Sequence, residues 1–146
     1  MESLKLKTKR VEVMIDDDPE RVVKFNPDDV HLRARIYNLA KEAKRKQDDM
    51  QAQLTELETI EGEDSLGLPL KIETAMKLTV DIADFFMTEI DVAFGDGTSG
   101  IVFADGFDFE SMVVFLEYVL SKFEAVGAKK IDDRLSKSVA KKKVMK

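Results

Sequence analysis

The chain has 146 residues and no cysteine, which excludes disulfides, thiolate zinc sites, iron–sulfur ligation and cysteine nucleophiles together. A domain of about 150 residues buries on the order of 70% of its unfolded surface, so one compact domain over 1–126 is expected to stand without a staple. The formal net charge of −6 is uneven: residues 127–146 hold eight Lys/Arg against Asp132 and Asp133, so this segment is +6 and the remainder −12, and only the segment offers phosphates an electrostatic contact.

The first 25 residues read as a small antiparallel β-hairpin or meander. Met1 to Arg10 alternates leucine with lysine without an apolar run, so it reads as neither a signal nor a transit peptide, and the cytoplasm is the expected compartment. Leu4, Leu6 and Thr8 alternate in one phase and Val11, Val13 and Ile15 in the other, which places a tight turn or bulge at Lys9-Arg10. Asp16-Asp17-Asp18-Pro19 is turn chemistry, and Arg21 to Phe25 reads as a further strand.

A mainly α (α+β) fold follows, with three main helices. Asn26-Pro27-Asp28-Asp29 is a helix start, with Asn26 as cap and Pro27 in the first turn, and the helix is expected over 27–57. Its apolar positions Leu32, Ile36, Leu39, Ala43, Met50, Leu54 and Leu57 are interrupted by the wholly polar run Lys44 to Asp49. That pattern describes a helix with a solvated middle and a far end that needs a partner. Residues 58–69 form a loop whose length suggests mobility. The helix over 70–94 leaves only a thin polar stripe, Glu73, Lys77, Asp81, Asp84, Thr88 and Asp91, so it is expected to be buried on most sides.

Gly95 is placed as a left-handed helix terminator, with Asp96-Gly97 as a second turn, and Thr98 or Ser99 as the cap of a short helical turn through Phe103. The last helix spans 108–126 and stops at Gly127, with 127–146 as a basic flexible tail. Eight of the nine phenylalanines lie between Phe85 and Phe123, which concentrates the core there.

No catalytic set assembles from these residues, and no cofactor or metal is expected. His31 sits alone in a polar helix entrance, and the three adjacent aspartates lack the spaced ligands of a calcium loop. Gly95-Asp96-Gly97-Thr98-Ser99-Gly100 has the glycines and hydroxyls of a phosphate cradle, yet it follows a helix, lacks a lysine and puts Asp96 where an anion would sit. Ser99 has no base beside it in sequence. Asp81 and Asp84 read as a solvated stripe.

The segment Phe85-Phe86, Ile90-Asp91-Val92-Ala93-Phe94-Gly95-Asp96-Gly97-Thr98-Ser99, Val102-Phe103 and Phe115-Leu116-Glu117-Tyr118-Val119 resembles the small tail assembly chaperones of long-tailed bacteriophages and prophages. In that family a helix ending in a Phe-Gly-x-Gly-Thr-Ser turn leads to a second turn closing on Ile-Phe-Gly. Here the motif residues are Phe94, Gly95, Gly97, Thr98, Ser99 and Phe103, and the glycine after Phe103 is delayed to Gly106. The motif is expected to pack two helices together, with Phe94 and Phe103 folding onto one core.

The resemblance implies a non-enzymatic helper that coats the tape measure protein, recruits the tail tube protein, can self-associate into an open spiral, works in the host cytoplasm and is absent from the mature virion. It also implies a longer form made by programmed frameshifting near the C-terminus, with which Lys141-Lys142-Lys143 is compatible. The competing readings are a structural or adaptor protein of the particle and a nucleic-acid-binding regulator acting through the basic segment.

Overall fold

The computed structural model describes residues 1–6 and 10–123. The chain is mostly helical, with one N-terminal hairpin: strands β1 (Val11–Ile15) and β2 (Asp18–Phe25), then helices α1 (Val30–Leu57), α2 (Leu70–Phe94), the short α3 (Thr98–Val102) and α4, helical over 109–123. Residues 1–6 carry no regular structure, so among the described residues the β segment expected over 1–25 spans 11–25. Lys9 of the expected Lys9-Arg10 turn and the end of the last helix at 124–126, like the segment 127–146, lie outside the described residues.

β1 and β2 pair antiparallel around a two-residue turn, Asp16-Asp17, with both residues at positive φ (51° and 57°). This is the turn whose twist matches a hairpin, and aspartate is among the few side chains that tolerate it. The register shifts between Met14 and Ile15, where Asp18 faces Ile15 but Val22 faces Met14, so Pro19, Glu20 and Arg21 bulge from the ladder. The bulge aims Arg21 inward.

α1 begins three residues later than the Asn-Pro signal suggests. Asp29 is the cap, accepting from the amides of His31 (2.9 Å) and Leu32 (3.2 Å), while Asn26 Oδ1 accepts from the Asp28 amide and Pro27 lies in the turn before the helix. Two side chains with capping chemistry compete here, and the one nearer the apolar ridge caps the helix. At α4, Asp108 accepts from the Ser111 amide (2.8 Å) and hydroxyl (2.7 Å), and these bonds hold its carboxyl below the usual carboxylate range.

One buried cluster joins the hairpin (Val23, Phe25), the first third of α1 (Leu32, Ile36, Leu39), the second half of α2 (Phe86, Ile90), the α3 turn (Val102, Phe103) and α4 (Met112, Phe115, Leu116, Val119, Phe123). Its rings meet mostly edge to face or tilted, as with Phe25 against Phe94 (5.8 Å) and Phe123 (6.2 Å), and Phe94 against Phe115 (5.3 Å). Together with the half-buried side chains packed on it, the cluster reaches only to Ala43 along α1 and starts at Ile82 along α2. Beyond these points α1 and α2 run on as a helical hairpin of about 20 Å, the distal arm.

The arm overturns the expectation that α2 is buried on most sides. Ile72, Met76 and Val80 are at least half exposed, and only Phe86 and Ile90 of this helix are fully buried. The connection at the arm's tip is also more ordered than its length suggests. Asp64 Oδ1 accepts from the amides of Leu66 (2.8 Å) and Leu68 (3.0 Å), the Leu70 amide donates to the Gly62 carbonyl, and Glu63 and Pro69 form an isolated bridge.

Candidate functional site

The turn between α2 and α4 gathers all six residues of the sequence motif. Gly95 ends α2 at φ 120°, ψ 153°, and its amide donates to the Asp91 carbonyl at 2.8 Å. That conformation is extended and mirror-imaged, open to glycine and not the left-handed helical one expected there. The left-handed residue is Gly97 (φ 88°, ψ −7°), which stands at the cap position of α3 and has no side chain to contribute. Neither Thr98 nor Ser99 caps α3 as expected: both are buried inside its first turn, with the Thr98 hydroxyl donating to the Gly95 carbonyl at 2.8 Å.

The cap comes from the preceding helix. Asp91 reaches across the turn, taking the Ser99 amide on Oδ1 (2.8 Å) and the Ser99 hydroxyl on Oδ2 (3.1 Å). A residue that periodicity assigns to a solvated stripe thus neutralises the open N-terminus of the next helix. The Ser99 amide held by Asp91 and the Thr98 amide held by the Gly95 carbonyl are two donors that a phosphate cradle would aim at an anion.

Arg21 closes the other end of α3. Its Nε and one terminal nitrogen donate to the carbonyls of Ile101 and Val102, both at 2.9 Å, and the other nitrogen lies 3.0 Å from Asp105. The planar fork of a guanidinium suits two adjacent orphan carbonyls. The Gly106 amide then donates to the Phe103 carbonyl at 3.0 Å, so the glycine that is delayed in sequence still closes a turn. Phe103 is buried against Phe107, while Phe94 packs on Phe25 and Phe115, so the two rings do fold onto one core from opposite sides of the turn.

Two more arginines do similar work. Arg35 donates to the Val92 carbonyl in the last turn of α2 (3.0 Å), and Arg33 to the carbonyls of Pro27 (2.8 Å) and Phe123 (3.2 Å), with its guanidinium 5.6 Å from the Phe123 ring. Sequence reasoning passes over Arg21, Arg33, Arg35 and Asp91. The one available signal was an arginine in a strand pattern, where its bulk needs a polar target.

The open surfaces among the described residues include a groove and the face of the arm. A groove of about 510 Å³ runs between α1, α2 and α4, floored by Ala43, Ile82, Met112 and Leu116 and rimmed by lysines of α1 and glutamates of α4. The distal arm presents Leu66 and Leu68 at its tip and Ile72, Met76 and Val80 along α2. His31 is exposed at the entrance of α1, and among the described residues no group of three or more His, Cys, Asp or Glu is placed to hold a metal ion. No described helix is long and apolar enough to cross a membrane. No protein-family model, curated protein or solved structure matches the chain.

Proposed function

We propose that the chain is a tail assembly chaperone of a long-tailed phage or prophage: it binds the tape measure protein, keeps it soluble, and helps bring tail tube subunits to it in the bacterial cytoplasm. It does this without catalysis and leaves before the virion is complete. The motif around Phe94 to Phe103 carries the family assignment. In this reading it is the joint that packs α2, α3 and α4, and contact with clients falls to the open helical surfaces.

The single observation that carries the binding role is the distal arm. Its side chains Leu66, Leu68, Ile72, Met76 and Val80 lie beyond the core, each at least half exposed among the described residues, and large exposed apolar surfaces mark sites of protein interaction. A long helical client that aggregates alone is the kind of polypeptide such a surface shields.

Co-expression tests the role directly. With the tape measure protein encoded beside this chain, the client is expected to move from the pellet to the soluble fraction and to co-purify. A client equally insoluble with and without the chain would remove the chaperone reading. Mass spectrometry of purified virions separates it from a structural role, because a stoichiometric amount of this chain in particles identifies a component and not a helper.

A further inference from the structure

We infer that the distal arm recognises a basic amphipathic helix, reading its apolar face with the Ile72-Met76-Val80 stripe and its cationic face with the acidic surround. The inference rests on the binding role proposed above and adds the chemistry of the partner. Two independent features of the arm carry it.

Charge is the first. The arm, residues 44–81, has nine Asp/Glu against five Lys/Arg, a net −4, and outward of Lys44, Arg45 and Lys46 at its base residues 48–81 hold the nine acids against Lys71 and Lys77, a net −7. Glu73 stands three residues before Met76 and Asp84 four after Val80, the spacing of neighbours on a helix surface, so carboxylates border the stripe at both ends, with Lys77, three before Val80, between them. Such a surface repels nucleic acid and anionic lipid and attracts cations.

Shape is the second. Ile72, Met76 and Val80 are 50%, 63% and 55% exposed and follow one another at i, i+4 and i+8, a single ridge about 12 Å long. A helix offers no unpaired backbone donors, so a strand cannot add to it, whereas a second helix can seat its own ridge beside this one. Inward of the ridge Ile82, Phe85 and Met87 pack on the core, so a docked helix would prolong the core outward.

The experiment uses the full chain and two synthetic 20-residue helical peptides with identical leucine positions at i, i+3 and i+4, one with lysine and one with glutamate at the remaining sites. The lysine peptide is expected to bind at least about tenfold more tightly, and to weaken about tenfold between 0.05 and 0.5 M salt, as the net −7 of the outer arm requires. Replacing the stripe by Ile72→Gln, Met76→Gln and Val80→Gln, positions exposed enough to leave the helical circular dichroism unchanged, should lower that affinity about tenfold or more. Equal affinity for the two peptides, or none for either, overturns the inference, and so does a stripe variant that binds as well as the parent. If the change Lys141→Gln, Lys142→Gln, Lys143→Gln raises peptide affinity tenfold, the arm belongs to the chain's own basic segment and the inference fails. A chain that binds the lysine peptide but leaves its client insoluble keeps this inference and loses the chaperone reading, and the reverse result removes the inference alone.

Discussion

Asp91 shows how one carboxylate fixes the joint between the helices. It is half-buried, four residues before Gly95, and it accepts from both polar hydrogens of Ser99, a residue only 5% exposed. Removing it leaves a buried amide and a buried hydroxyl without an acceptor, which costs about 1–3 kcal/mol. Asp91→Ala is therefore expected to lower the free energy of urea unfolding by that amount, through a lower midpoint at an unchanged slope, and Asp91→Asn, which keeps one acceptor oxygen, to lose less. A loss of under about 0.5 kcal/mol in unfolding free energy would show that the bond across the turn is not formed in solution. The glycines and phenylalanines of this joint were legible in the sequence because each type has one evident use there. Asp91 and Arg21 were not, since a lone charge at a helical or strand position reads as solvated until a partner distant in sequence is brought to it, eight residues away for Asp91 and 80 for Arg21.

Helix α2 performs two tasks along one length. Its second half buries Phe86 and Ile90 in the core, while its first half carries Ile72, Met76 and Val80 in water. Truncation should register this division. Phe86→Ala, which empties a fully enclosed site, is expected to cost about 3–5 kcal/mol, and Met76→Ala under about 0.5 kcal/mol in the absence of any client. Denaturant unfolding of the two variants checks the contrast, and a Met76→Ala cost near that of Phe86→Ala would mean that the arm is covered by the chain itself. Periodicity located this helix to the residue at both ends, 70 and 94. It could not divide the helix, because an apolar face that packs on a core and one that awaits a partner have the same spacing. α1 was more informative, since the polar run Lys44 to Asp49 in its middle marks where the core stops, and Ala43 is the last α1 residue in the cluster.

Across the whole molecule, charge and packing are distributed in opposition. The rings cluster at one end, with arginines holding helix ends together, and acids crowd into the outer part of the arm, where residues 48–81 carry a net −7 with little core to offset their repulsion. The sign of this asymmetry was readable from composition, but its location was not, because the arm exists only once α1 and α2 are folded side by side. Like charges within a Debye length strain the arm, and that length falls from roughly 20 Å at 0.02 M salt to roughly 4 Å at 0.5 M. Salt should therefore tighten the arm selectively. Amide protection factors over residues 70–80 are expected to rise severalfold across that range, while those around Phe86, Ile90 and Val119 stay nearly constant, since the core is held by apolar burial. Neutralising the tip with Glu61→Gln and Glu63→Gln should raise arm protection at low salt and shrink its response to salt. Equal responses of arm and core would show that repulsion is spread over the whole chain, and would take from the arm the electrostatic character on which recognition of a cationic helix depends.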